Sequence, residues 1–380
     1  MDIKDYRKAI DQIDRQLLQL ITERMKVAAS IADYKKENNL SVLDSGREKE
    51  KILSVLDDTP EELKDYTPLL FSLLFEVSRS YQNRRIGVNS DLTEKIKSAV
   101  LNTSQLFPEN AIVACQGIQG ANSQMACEKL FRYPKTLYFS SFEEVFSAVD
   151  KGLCDYGVIP VENSSAGSVN SVYDLMMKHR FYIARSIRLK IHHNLLTKPG
   201  VKLGDIRKIY SHEQALNQCS SFLSSFENVR IIPCENPAYA AKKVAESDRR
   251  DIAALASEPC VGYYGLNCLA ASVQNNDNNY TRFICISKKL EIYPGADRTS
   301  LMMVLPHEQG SLYKALSRIY ALGINLNKLE SRPIPNKEFE FMFYFDLDIP
   351  VYSPKLIQLI DELSTICDEF QYLGSYRELF

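Results

Sequence analysis

Residues 1 to about 88 carry apolar side chains at helical spacing and show no strand-like alternation. Ile10, Ile13, Leu17, Leu20, Ile21, Ala28 and Ile31 recur at three- and four-residue steps, which predicts one long amphipathic helix. A second helix is expected from Ser45 to Leu56. A third follows Pro68, where Leu70, Phe71, Leu74, Phe75, Val77 and Tyr81 stay in phase. Residues 89–109 are polar and poorly patterned, and read as a linker with about one turn of helix. From 110 to 290, short β-branched runs such as Ala111–Cys115, Tyr156–Ile159, Ile206–Tyr210, Ile252–Ala256 and Arg282–Ser287 alternate with helical segments, the pattern of an α/β fold. Pro294 and Gly295 mark a second boundary. Residues 299–380 then read strand (Ser300–Leu305), helix (Ser311–Ala321), strand (Asn325–Ser331), strand (Phe339–Asp346), helix (Pro354–Cys367), strand (Gln371–Tyr376). That βαββαβ order is ferredoxin-like, α+β. The expectation is a multidomain chain: all-α, then α/β, then α+β.

Composition excludes several partners. Forty-six Lys+Arg against 48 Asp+Glu argue against nucleic acid or an anionic membrane as the main partner. The N-terminus opens in a charged amphipathic pattern, and no apolar run approaches membrane-spanning length. Nine cysteines without a Cys-x-x-Cys pair read as reduced thiols of a cytoplasmic protein. The five histidines lack metal-ligand spacing, so no metal is expected.

The chemistry of the helical segment lies in what interrupts its apolar stripe. Arg7, Arg24 and Lys35 fall in step with it, and Ser78 and Gln82 continue the face of Phe71 and Phe75. Inward cations need anions. Asp44 and Glu48 meet part of that demand while Arg47 adds another cation, so the surplus asks for a small ligand with more than one carboxylate. A solvated face with snorkelling stems is the competing reading, and it weakens as the polar residues in phase accumulate. Arg7 and Arg24 stand 17 residues apart, roughly 25 Å along one helix. No small dianion spans that, so a shared site would take Arg7 from a second copy of the chain, an intertwined dimer.

Arg7, Arg24, Lys35, Asp44, Arg47, Glu48, Ser78 and Gln82 resemble, in order and spacing, the site of the all-helical chorismate mutases. The resemblance implies rearrangement of chorismate to prephenate without nucleophile, metal or cofactor. Arg7, Arg24 and Arg47 would hold the two carboxylates in forked hydrogen bonds. Lys35 and Gln82 would face the ether oxygen as it gains charge, a role a protonated Glu48 could share. Asp44 and Ser78 would orient the ligand hydroxyl and the cations.

In the α/β segment, "VIPVENSSAGSV" (158–169) is a strand end followed by a polar turn, where such folds place ligand groups. "YSHEQALNQCSSF" (210–222) places Ser211 to cap a helix, and "NNYTRFICIS" (278–287) opens a strand on a hydroxyl and a cation. These segments resemble prephenate dehydratases, which implies two α/β lobes closing on prephenate and its conversion to phenylpyruvate, carbon dioxide and water. Thr281 matches that family's catalytic threonine and is expected to donate to the departing oxygen. Glu162, Asn163, Ser164, Ser211, His212, Gln218, Arg282 and Phe283 would complete the pocket, with Glu162 an alternative proton source. The turn "CQGIQGANS" (115–123) falls where the family has a glycine-rich substrate turn. Gly117, Gly120 and Ser123 match, whereas Ile118, Ala121 and Asn122 depart from it.

The last segment resembles the amino-acid-binding ACT domain of the bifunctional enzymes that join these activities. Glu330-Ser331-Arg332-Pro333 matches its second motif, whereas Gly310-Ser311-Leu312-Tyr313 departs from the first at Ser311 and Tyr313. The resemblance implies L-phenylalanine as an allosteric ligand, held by Gly310, Ser311, Leu312, Glu330, Ser331 and Arg332 at a dimer interface. The expected assembly is a homodimer or a tetramer. The rivals are a mutase joined to a prephenate dehydrogenase, which wants a dinucleotide fingerprint, and an aromatic-acid sensor whose lobes bind without turnover.

Overall fold

The computed structural model describes residues 2–38, 40–86, 91–335, 337 and 340–380. They form two compact units, Met1–Glu94 with Ile357–Ile366, and Lys95–Leu356 with Cys367–Phe380.

The first unit is helical. Helix α1 (Ile3–Glu37) has 35 residues and starts in a capping box made by Asp2 and Asp5. Along it only Ala28 and Ala32 are buried, and Ile10, Ile13, Leu17 and Ile21 keep 41–56% of their surface exposed. Asp44 caps α2 (Ser45–Asp57), its carboxylate accepting from the Arg47 N–H. Helix α3 (Thr67–Ile86) is tied to α1 by a two-armed ion pair from Arg85 to Asp33 at 2.8 and 2.9 Å. Where the sequence reads as a linker, Asp91–Asn102 is a 12-residue helix, α4. Leu92, Ile96, Ala99 and Val100 share a face of it, and Ile96 and Ala99 are buried. The expected boundary between residues 88 and 89, and the expected strand start at Phe339, lie outside the described residues.

The second unit carries two sheets. Its strands and helices in chain order are β1 (Asn110–Gln116), α5 (Asn122–Leu130), β2 (Tyr133–Phe139), α6 (Phe142–Asp150), β3 (Tyr156–Asn163), β4 (Gly167–Ser168), α7 (Asn170–Lys178) and β5 (Tyr182–Lys190). There follow β6 (Asn194–Thr197), β7 (Lys208–Ser211), α8 (Glu213–Gln218), α9 (Ser220–Leu223), β8 (Arg230–Pro233), α10 (Pro237–Glu246), β9 (Ile252–Ala256), α11 (Pro259–Tyr264), β10 (Asn267–Ala270) and β11 (Tyr280–Ser287). The C-terminal elements are β12 (Arg298–Val304), α12 (Ser311–Ala321), β13 (Asn325–Pro333), β14 (Phe341–Asp348), α13 (Pro354–Ser364, counted from Ile357 on with the first unit) and β15 (Glu369–Leu379), in the expected βαββαβ order.

The chain leaves the first sheet after β5, builds the second sheet β10-β6-β9-β7-β8, and returns through β11. Two connecting segments, near 190–194 and 270–280, therefore join two α/β lobes. The first sheet runs β13-β14-β12-β15-β5-β11-β3-β1-β2, so the C-terminal strands continue it by parallel pairing of β15 with β5. One core joins Val172, Tyr173 and Met176 of α7 to Ile284 of β11 and to Met302, Val304, Met342 and Tyr344 of the C-terminal strands. The C-terminal module is thus packed on the back of the first lobe by apolar burial.

Candidate active sites

In the helical unit, α1 and α3 bring Arg24 and Ser78 into hydrogen-bond contact, and Arg24 also donates to the Leu74 carbonyl at 3.2 Å. Ser78 and Gln82 are buried one helical turn apart on α3, and Gln82 Oε1 finds no hydrogen-bond partner among the described residues. Lys35 is half-buried and donates to the Val42 carbonyl at 2.6 Å. Glu48 is half-buried too, and Arg79 of α3 holds its carboxylate. Helical phase had not marked Arg79, because it stands one residue off the Ser78 face. Asp44 spends its carboxylate on the cap of α2, and Arg47 is exposed and paired with Glu50 at 2.7 Å. Arg7 is exposed near the start of α1, a span of 17 residues from Arg24, so one chain does not bring the two together.

In the α/β unit, the centre is the end of β3 against the start of β11. Thr281 pairs with Asn163 and Arg282 with Glu162 across the ladder. Buried Asn163 donates through Nδ2 to Thr281 Oγ1 at 2.9 Å, to Asn279 Oδ1 at 2.9 Å and to the Tyr280 carbonyl at 3.2 Å. Its Oδ1 accepts from the backbone N–H groups of Ser165 and Ala166, both at 3.0 Å, which fixes which way the amide points. Gln218, at the end of α8 in the second lobe, reaches Asn163 Oδ1 at 3.3 Å and accepts from Asn279 at 3.0 Å. His193 lies 2.8 Å from Gln218 Oε1, and burial pushes its imidazole below the usual histidine range. The cluster thus spans both lobes and both connecting segments.

His193 and Asn279 were not singled out from the sequence. Their signals were faint: a second histidine beside His192, and the asparagine run ahead of Tyr280.

Several expected pocket residues are placed elsewhere. Glu162 and Arg282 occupy the opposite face of the strands from Asn163 and Thr281, because neighbours on a strand alternate. Glu162 meets Lys328 of β13 at 2.8 Å and so does not face Thr281 as a proton source. Arg282 is buried against Asp346 and Glu378 and is not a substrate contact. Phe283 belongs to the core of the first lobe. Ser164 uses its hydroxyl on the Asn278 carbonyl and the Tyr280 N–H. Ser211 is buried and donates to the Leu255 carbonyl at 2.6 Å, so the cap of α8 is His212, one residue later. His212 lines a cavity of about 400 Å3 at the C-terminal ends of β7 and β8, with Glu213, Glu235, Tyr239 and Lys243.

The turn at 117–121 needs its glycines. Gly117 and Gly120 have φ of +105° and +87°, and a Cβ at Gly120 would stand 2.7 Å from Cys260 Sγ. Ser257 donates to the Gly120 carbonyl at 2.7 Å and Tyr264 to the Gln119 carbonyl at 2.6 Å, pinning the turn to the second lobe. Ala121 stands at the N-cap of α5 without a side-chain cap, and Ser123 is buried in the first turn.

In the C-terminal module, Gly310 takes φ +83° at the N-cap of α12, with Ser311 buried behind it and Tyr313 exposed. Lys328, Glu330 and Arg332 share one face of β13, turned to the first lobe. Arg332 makes a two-armed ion pair with Asp174 at 2.8 and 3.0 Å, and Glu330 accepts from Ser168. Glu330 and Arg332 are therefore committed to the lobe, and Ser331 and Pro333 of that motif lie on the exposed face. Among the described residues no helix is long and apolar enough to cross a membrane, and no cluster of His, Cys, Asp and Glu could hold a metal ion.

A family model described as chorismate mutase type II matches residues 6–83, and one described as prephenate dehydratase matches 113–291. A bifunctional chorismate mutase/prephenate dehydratase of Buchnera aphidicola subsp. Acyrthosiphon pisum (strain APS) is 32% identical over 379 residues, 98% of this chain and 95% of its own length. Among solved structures, GqqA, described as a novel type of quorum-quenching acylase, is 30% identical with a TM-score of 0.64, over 70% of this chain and 97% of that one. The prephenate dehydratase of Arthrobacter aurescens in complex with L-Phe is 27% identical with a TM-score of 0.65, over 70% of this chain and 89% of that one.

Proposed function

The chain belongs to the bifunctional chorismate mutase/prephenate dehydratases, and from that premise we propose which residues carry each step. It rearranges chorismate to prephenate, then converts prephenate to phenylpyruvate with loss of carbon dioxide and water, on the route to L-phenylalanine. Residues 1–88 are the mutase, 110–290 the dehydratase and 299–380 an ACT domain with ferredoxin-like topology, with 89–109 between the first two. The free cysteines suit the cytoplasm.

In the mutase, Arg24, Arg47 and the partner chain's copy of Arg7 hold the two carboxylates of chorismate. Lys35 and Gln82 face the ether oxygen, Gln82 as a donor through Nε2, and its buried Oε1, unpartnered among the described residues, is an acceptor left for a ligand group that donates. Glu48, held by Arg79, orients the other groups in place of donating a proton. Asp44 fixes the start of α2, and with it Arg47. Catalysis rests on restriction of the substrate and fixed charge. The exposed apolar stripe of α1 supports a homodimer in which a second α1 covers it, and two such dimers can form a tetramer.

In the dehydratase, one observation carries the reading: Asn163 donates to Thr281 Oγ1, so the threonine's own hydrogen is left to donate. That hydrogen is directed at the C4 hydroxyl of prephenate as it leaves, while aromatisation drives loss of the ring carboxylate. Gln218, Asn279 and His193 fix the amide of Asn163. His212 and the 117–123 turn border the substrate from the second lobe and the first. The ACT domain binds L-phenylalanine between two copies, using backbone at Gly310 and Ser311, the exposed Ser331, and an apolar pocket near Leu312. Phenylpyruvate release from chorismate and from prephenate by the purified protein tests the reading. A protein that binds prephenate without turning it over would be the sensor instead.

A further inference from the structure

The β3–β11 strand pair that carries Asn163 and Thr281 has two faces, and the C-terminal module packs on the opposite one. Arg282, next to Thr281 and 5% exposed, lies 2.6 Å from Asp346 of β14 and 2.8 Å from Glu378 of β15, each 1% exposed. The same guanidinium donates to Tyr376 at 2.9 Å, and Ser300 ties Tyr376 to Asp346 at 2.6 and 3.1 Å. Arg298 and the more exposed Arg188 also reach Glu378, at 3.3 and 2.9 Å, so three guanidiniums surround two carboxylates. On the neighbouring strand, Lys328 holds Glu162, the residue before Asn163, at 2.8 Å. A guanidinium buried without partners would be strongly disfavoured, whereas two carboxylates at ion-pair distance offset its charge and Tyr376 takes one of its N–H groups.

We propose that Asp346 and Glu378, acting through Arg282, are positioning residues for dehydration. They hold the first residues of β11 so that Thr281 keeps its place against Asn163. The inference rests on Thr281 being the donor to the leaving hydroxyl. Neither acid touches the substrate, and both come from the module that binds the effector. A loss of register at the reacting hydroxyl of about 1 Å can cost about 100-fold in rate.

The test is steady-state dehydration of prephenate by full-length Asp346→Asn and Glu378→Gln, with thermal unfolding and chorismate conversion followed on the same samples. Expected are a kcat about 10- to 100-fold lower per folded chain, a KM within about threefold of wild type, and an unchanged mutase rate. A merely stabilising network would lower the unfolding midpoint and leave kcat per folded chain alone, and that result in both variants overturns the proposal. Arg282→Lys keeps the charge and drops the fork, so it serves where neutralising an acid prevents folding. A lowered kcat at constant KM is expected there, and full kcat counts against the proposal in the same way. Thr281→Val separates the two claims: if it is fully active the threonine reading itself fails, whatever the acid variants do.

Discussion

Thr281→Val removes one hydroxyl and keeps the shape of the side chain, so the two consequences of the change can be sized separately. Asn163 Nδ2 loses one of three acceptors and keeps Asn279 Oδ1 at 2.9 Å and the Tyr280 carbonyl at 3.2 Å. The stability cost is therefore bounded by one net hydrogen bond, about 1 kcal/mol. The catalytic cost is of another order. A donor aimed at charge developing on a leaving oxygen is worth about 2.7–4 kcal/mol, or 100- to 1000-fold in kcat. Phenylpyruvate formation from supplied prephenate, followed to saturation, should show that fall in kcat with KM little changed. Chorismate conversion by the same sample should be normal, which excludes a general folding defect. A kcat within about threefold of wild type would refute the role of the hydroxyl.

Lys35→Ala should cost the mutase roughly 3 kcal/mol of transition-state stabilisation and leave dehydration of supplied prephenate intact; undiminished chorismate conversion would remove the helical site. Mixing Arg7→Ala chains with Lys35→Ala chains should restore part of the mutase activity through hybrid sites carrying neither change, and failure despite demonstrated subunit exchange would place Arg7 outside the site. L-Phenylalanine should bind, by calorimetry, and lower apparent prephenate affinity about 5- to 150-fold, a coupling of about 1–3 kcal/mol; Ser331→Trp should abolish both effects. His193 gives a pH test. Burial holds its folded pKa below the ordinary histidine value of about 6.5, with Gln218 offsetting part of the shift, so near that pH the unfolded chain binds more protons than the folded one. Its contribution is whole above pH 6.5 and is lost as pH falls from there toward the folded pKa, with a slope of at most about 1.4 kcal/mol per pH unit. Urea unfolding between pH 7.5 and 5.5 should show a shallower dependence in His193→Gln, and an identical slope would sink the assignment.

What was legible depended on period. The helices beginning at Ile3, Ser45 and Thr67 lie where three- and four-residue spacing puts them, and the C-terminal strands and helices follow the expected order to within a few residues. Helix α4 was missed because its apolar face is short and is diluted by Thr93, Glu94, Lys95 and Lys97. The site residues were legible as types but not as directions. Glu162-Asn163 and Thr281-Arg282 are adjacent in sequence, and each pair was taken as one surface. On strands such pairs must divide between faces. Lys328, Glu330 and Arg332 carried the complementary signal, three charges at two-residue steps. That pattern marks one face of a strand needing polar partners, and the first lobe supplies them as Glu162, Ser168 and Asp174.

The same division of faces bears on how regulation reaches the chemistry. The C-terminal sheet contacts the β3–β11 strand pair from behind, through Arg282 and Glu162, on the face opposite Asn163 and Thr281. An effector that shifted this sheet would act first on the strands that carry Thr281, since the cavity beside His212 is lined by residues of the second lobe. Closure of the lobes is the second route, since Asn163, Gln218 and Asn279 meet only when both lobes contribute. The routes leave different kinetic marks. Displacement of the β3–β11 strand pair lowers kcat at constant KM, whereas a change in lobe closure alters apparent affinity, and only the affinity effect must be matched by an equal effect of prephenate on L-phenylalanine binding. Measuring L-phenylalanine affinity with and without prephenate, beside the inhibition of kcat, therefore distinguishes a module that acts on the β3–β11 pair from one that acts on the cleft.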